Sequence, residues 1–142
     1  MAPVLWIKEP VSTVAVLIVS SGDIAPSLAQ RLKAALHGWD EVAYVQVLEP
    51  DVLHQQWLKL QNSASSCDAS VLLGRLGTQC QLLNIENGQR GDLAWLGSVR
   101  GHWLRFLALP PPVSDAQQQC ARVLEVLREL VKHQLAQRYL NC

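Results

Sequence analysis

Ser20-Ser21-Gly22-Asp23 is the segment whose residue types and spacing come closest to a chemical site. It follows a run of apolar β-formers and precedes an amphipathic helix. Hydroxyls, a glycine and backbone N–H groups would therefore meet at a strand's carboxyl end, where open α/β sheets hold phosphates. Against this, Asp23 would repel an anion, and Ile24 and Ala25 add only backbone donors. The plain structural reading is a helix start, with Ser21 or Asp23 as the N-cap. Other chemistries lack their residues. There is no GxGxxG, no GKS or GKT and no GxSxG elbow. The histidines His37, His54, His102 and His133 fall on separate predicted elements, and a Cys67–histidine pair has no supporting spacing. Asp40 and Glu41 are adjacent, so on a strand they would point to opposite faces. Cys67, Cys80, Cys120 and Cys142 form no CxxC pair, which argues for buried, reduced thiols over zinc or redox chemistry. No catalytic residue, metal site or cofactor is expected. The loop Ser20–Asp23 stands as the one candidate small-molecule or nucleotide site.

The elements that would position this loop are legible from periodicity. Thr13 to Val19 is a continuous apolar run, the pattern of a strand buried on both faces of a parallel sheet. Ile24, Leu28, Leu32, Ala35 and Leu36 recur at helical spacing, with Pro26 in the first turn and Gly38 as a stop. A second strand is predicted over Val42 to Leu48. A helix carrying Val52, Leu53, Trp57, Leu58 and Leu60 follows from Glu49 or Asp51. Ala69 to Leu73, closed by Gly74, reads as a third buried strand, and Gln79 to Ile85 as a short strand paired back through Gly77. Asp92 to Val99 suggests one or two helical turns, and His102 to Leu109 a further strand ended by Pro110-Pro111-Pro112. A helix capped by Ser114 or Asp115 is predicted over about 114–140. The β-α-β-α-β order predicts an α/β fold. The expected form is a single three-layer Rossmann-like domain over 1–142, with a mostly parallel sheet and a long C-terminal helix.

Composition narrows the partners. The 142 residues include 12 basic and 12 acidic side chains, 49% are hydrophobic and 17% charged. Zero net charge gives no general attraction to nucleic acid or anionic membrane. The longest apolar run, Val14 to Val19, is far too short to span a bilayer, and no signal-peptide pattern opens the chain. A cytoplasmic protein is the expectation. Residues 71–142 nevertheless carry eight basic and five acidic side chains. Among them Arg90, Arg100 and Arg105 lie near Trp95, Trp103 and Phe106. Arg and Trp are the common anchors of protein interfaces. The same mixture occurs on single-strand nucleic-acid surfaces, but no RNP, KH or helix-turn-helix pattern accompanies it, so direct nucleic-acid binding is not expected. In the last helix, Cys120, Val123, Leu124, Leu127, Leu130, Val131, Leu135 and Tyr139 form an apolar stripe longer than the strands it would cover. Leu127, Leu130 and Val131 are expected to seal the core. Leu135, Tyr139 and Leu140 are expected to remain available to a partner. The partner-binding candidates are therefore Trp95, Arg100, Trp103, Arg105, Leu135 and Tyr139.

Two resemblances bear on this reading. The loop Ser20–Asp23, with Cys67 to Gly74 later, resembles the layout of a flavodoxin-type phosphate loop, which implies an FMN-like ligand for the nucleotide alternative. Leu32-Lys33-Ala34-Ala35-Leu36, then Asp40-Glu41-Val42 and Leu48-Glu49-Pro50, resemble the psi subunit family of bacterial DNA polymerase III. So do Pro111-Pro112-Val113-Ser114-Asp115 and Ala121-Arg122. That resemblance implies a small Rossmann-like protein without catalytic residues that bridges the clamp loader and the chi subunit. The chain departs from the family in its additional residues between Leu73 and His102. It also departs in a first strand expected only near Thr13, without an extended N-terminal tail. The combined expectation is a non-catalytic accessory subunit that binds another protein or a second copy of itself. The alternatives are a small-molecule or nucleotide-binding enzyme and a single-strand nucleic-acid binder.

Overall fold

The computed structural model describes residues 4–21, 24–59, 72–76, 79–87, 93–109 and 115–140, with side chains of the last helix as far as 137. Five strands form one sheet: β1 (Val4–Lys8), β2 (Val16–Ser21), β3 (Val42–Val47), β4 (Gln81–Glu86) and β5 (Leu104–Ala108). Their spatial order is β1-β3-β2-β4-β5. β2 pairs in parallel with both β3 and β4, β4 pairs in parallel with β5, and β1 runs antiparallel along β3. Helix α1 (Pro26–Ala35) joins β2 to β3, α2 (Pro50–Lys59) follows β3, and α3 (Ala116–Leu140) comes after β5. A 3-10 helix, Ala94–Ser98, lies between β4 and β5. This is a three-layer α/β fold with a mostly parallel sheet.

The alternation of side chains along each strand divides the interior into two cores. Val16 and Ile18 of β2, Tyr44 of β3, Leu83 and Ile85 of β4 and Leu107 of β5 pack with α1 and α3. Leu17, Val19, Val45, Val47 and Leu82 face the other way and pack with Leu53 of α2, Leu72, Leu73, Leu93 and Leu96. Every residue of β2 is buried, as its unbroken apolar run demands. Gly38, at φ +80°, lets the chain turn out of α1, a left-handed conformation that a Cβ disfavours.

Three sequence expectations are corrected. The expected strand at Ala69–Leu73 is not one where it can be seen: Leu72 and Leu73 belong to a helical turn at 72–74, and Ala69 to Val71 lie outside the described residues. A short apolar run closed by glycine suits a buried helical turn as well as a buried strand, so periodicity could not separate them. Its place in the sheet is taken by Gln81–Glu86, which does not pair back as a hairpin but inserts between β2 and β5. The N-terminal leader is itself a strand. Trp6 and Val4 pack on the α2 side and Ile7 on the α1 side, with a register shift between Trp6 and Lys8. The Lys8 ammonium then donates to the carbonyl oxygens of Trp39 and Val42, the latter at 2.8 Å, tying the edge strand to the turn before β3.

The C-terminal helix runs unbroken through Lys132 and His133. Asp115 caps it, with its Oδ1 accepting from Gln118 N–H at 3.0 Å. No described helix is long and apolar enough to cross a membrane.

Candidate functional site

In a doubly wound sheet the natural ligand crevice lies where the strand order reverses, outside the carboxyl ends of the strands on either side. Here that point lies between β2 and β4. It gathers Ser20 and Ser21 from β2 with Asn84 and Glu86 from β4, all buried. Ser20 faces the α1–α3 core, whereas Ser21, Asn84 and Glu86 alternate in step with the α2-side residues Val19 and Leu82. The Ser20 hydroxyl is 2.9 Å from the Tyr44 hydroxyl across the α1–α3 core. The Asn84 amide nitrogen donates to Glu86 Oε1 at 3.3 Å, while Asn84 Oδ1 has no hydrogen-bond partner among the described residues. The Gln119 amide of α3 donates to Asn87 Oδ1 at 3.3 Å, which fastens the helix start to the end of β4. Gly22 and Asp23 lie outside the described residues. The N-cap of α1 is Ala25, with no side-chain cap, and neither Ser21 nor Asp23 fills that position. Pro26 at the first turn makes this possible, because its fixed φ starts the helix and it has no N–H to satisfy. For a phosphate the crevice is poorly equipped: the Ser20 hydroxyl is engaged by Tyr44 on one face of the sheet, and on the other Ser21 shares its face with the acidic Glu86.

Burial pushes the Tyr44 phenol above its ordinary range near pH 10, against the smaller opposing pull of hydrogen bonds from Ser20 and Gln46. The folded state therefore holds this proton to higher pH than the unfolded chain does. Stability from Tyr44 is fully present below about pH 10 and is lost as pH rises through the folded value. The phenol step that Tyr44→Phe removes from an ultraviolet spectrophotometric titration should lie above the ordinary range. A removed step centred near pH 10 would contradict this.

The candidate partner residues separate into groups. Trp95 is half-buried and stacks on His54 and Trp57 of α2, with ring centroids 4.5 and 5.3 Å away. The Arg100 guanidinium lies over the helical turn at 72–74, with Nη2 3.2 Å from where a Cβ on Gly74 would stand. Both belong to the α2 side. Trp103 and Arg105 point the other way, since they alternate in step with Leu107, which packs under α3. Trp103 is 82% exposed. With Gln81, His133, Gln134 and Gln137 it lines a groove of about 530 Å³ between the start of β5 and the last turns of α3. Leu135 is exposed but stands about 100° round the helix from Gln134, outside that groove. The side chain of Tyr139 lies outside the described residues. Among the described residues no cluster of His, Cys, Asp and Glu could hold a metal ion.

Sequence reasoning missed Asn84 and Glu86. Their signal was present: in a strand buried on both faces, each polar residue interrupting Leu82, Leu83 and Ile85 needs an explanation. A short strand paired back through Gly77, as Gln79–Ile85 reads from sequence, carries no such requirement.

No known family model matches the chain, and no curated protein matches it significantly.

Proposed function

We propose that this chain is a non-catalytic binding subunit that holds another protein on the surface around Trp103 and Arg105. The observation that carries the reading is Trp103 itself, a tryptophan 82% exposed at the mouth of a groove and beside an exposed arginine. A large apolar ring kept in water has a cost that a partner would remove, and Trp and Arg are the side chains that most often anchor such contacts. The crevice at the strand ends supports the small-molecule alternative less well, because Tyr44 engages the Ser20 hydroxyl and the Asn84 amide donates to an acidic neighbour, Glu86. In its more specific form the proposal is a cytoplasmic, psi-like accessory subunit of a DNA replication complex. That form is supported by the residue resemblance at Leu32–Pro50 and by a Rossmann-like layout of the kind that family has.

The test compares tagged wild-type protein with a Trp103→Ala/Arg105→Ala variant by native mass spectrometry of complexes from the source cell. It also measures sedimentation of each with purified chi subunit. A stoichiometric protein partner lost in the variant, at unchanged stability, is the expected result. Retention of every partner by the variant removes this surface from consideration. Stabilisation of the chain by FMN, nucleotides or sugar phosphates, approaching about 2.7 kcal/mol at a hundred times Kd, would favour the ligand-binding alternative.

A further inference from the structure

The two edges of the sheet are not alike. At β1 the ladder is broken between Trp6 and Lys8, and Arg75 lies over the Trp6 ring, 4.7 Å from its centroid, while pairing with Glu9. Irregularity and charge of this kind blunt an edge against further pairing. β5 has no such protection among the described residues. Its parallel register with β4, together with Leu82 N–H donating to the Trp103 carbonyl and Leu109 N–H to the Glu86 carbonyl, directs the backbone groups of Trp103, Arg105, Leu107 and Leu109 inward. The N–H and C=O groups of Leu104, Phe106 and Ala108 therefore point away from the sheet. Phe106 and Ala108 are exposed, and Phe106 keeps 36% of its surface in water.

We propose that the open edge of β5 takes up an extended segment of another protein as a further strand, apolar on alternate residues and acidic where it meets Arg105. The proposal rests on the protein-binding reading above and specifies how the partner is held. From Leu104 to Ala108 the edge is about 13 Å long, enough to pair a segment of about five residues. Main-chain hydrogen bonds would supply affinity, and the side chains on either face would supply selectivity. On one face the incoming strand lies beside Phe106, which calls for an apolar residue. On the other it lies beside Arg105 and Trp103. The sequence from Leu93 to Ser114 has two arginines and no acidic residue, so the complementary charge must come from the partner. This also disfavours a second copy of the chain. Antiparallel β5–β5 pairing centred on Phe106 would set the two Arg105 side chains diagonally, about 7–8 Å apart, with no acid between them.

The probe is a labelled, capped hexapeptide of alternating valine and glutamate, used with the full chain. Its controls are the same peptide N-methylated at alternate positions and a valine–lysine version. Binding is followed by fluorescence anisotropy, and β5 by amide hydrogen exchange. The expected result is binding of the glutamate peptide with slowed exchange at Leu104, Phe106 and Ala108, and at least tenfold weaker binding of both controls. Arg105→Glu should reverse the preference between glutamate and lysine peptides. Phe106→Pro should abolish binding while keeping the fold, because its lost N–H points outward. Exchange at these amides unchanged at saturating peptide, or equal binding of the N-methylated peptide, overturns the proposal. If Trp103→Ala/Arg105→Ala loses the native partner but Phe106→Pro and Arg105→Glu keep it, the binding reading stands and strand addition is wrong. A wild-type dimer that Phe106→Pro dissociates would instead make the occupant a second copy.

Discussion

Leu127→Ala should lower the unfolding free energy by about 2–5 kcal/mol, the range for truncating a buried leucine with incomplete collapse around the cavity. Leu127 is fully buried in α3, between Val123 and Val131, where the helix packs on α1, β2 and β4. Little can move to fill the space, because the sheet beneath is held by parallel ladders on both sides of β2 and β4. Leu135→Asp on the same helix should stay within about 1 kcal/mol of wild type, since Leu135 is 39% exposed. Urea melts of the two variants with equal m-values would establish the contrast. Equal destabilisation would place Leu135 in the core.

Trp95→Ala should cost about 3 kcal/mol, whereas Trp103→Ala should change stability by less than about 0.5 kcal/mol. The two residues share a type and lie eight positions apart, but their surroundings differ. Trp95 projects from the 3-10 helix onto α2, where it stacks with His54 and Trp57, and it packs on the α2-side core. Its loss removes buried apolar area and two ring contacts, each worth about 0.5–1.5 kcal/mol beyond area. Being half-buried, it should fall at the lower end of the range for core tryptophans. Trp103 has most of its ring in water, so truncation removes little from the folded state. Chemical denaturation of each variant is sufficient, and binding assays should show the reverse order of effect. If Trp103→Ala proves as destabilising as Trp95→Ala, its ring is part of the packing and cannot serve as the partner's anchor.

Much of the architecture follows from residue patterns alone. The apolar run at Val14–Val19 can be satisfied only by burial on both faces, and that implies helices above and below. The 3.6-residue spacing from Ile24 to Leu36, with Pro26 and Gly38 at its ends, defines α1 closely. Asp115 before a long apolar stripe defines α3, and the same stripe already separates Leu127 from Leu135. These signals are local: each depends on propensity, capping and period within one segment.

What tertiary structure decided is which segments meet. Val4–Lys8 has no period long enough to identify it as a strand. It becomes one because β3 offers an open edge on which Trp6 and Ile7 can bury. Leu72-Leu73-Gly74 and Gln81–Glu86 carry similar apolar content, and only pairing along β2 determines that the second enters the sheet. Trp95 and Trp103 cannot be distinguished by composition, since the partners that bury one come from α2, far away in sequence. Nor can spacing reveal that Leu104, Phe106 and Ala108 keep their backbone groups outward. That depends on β4 being the one strand beside β5 among the described residues, a property of strand order and not of the strand.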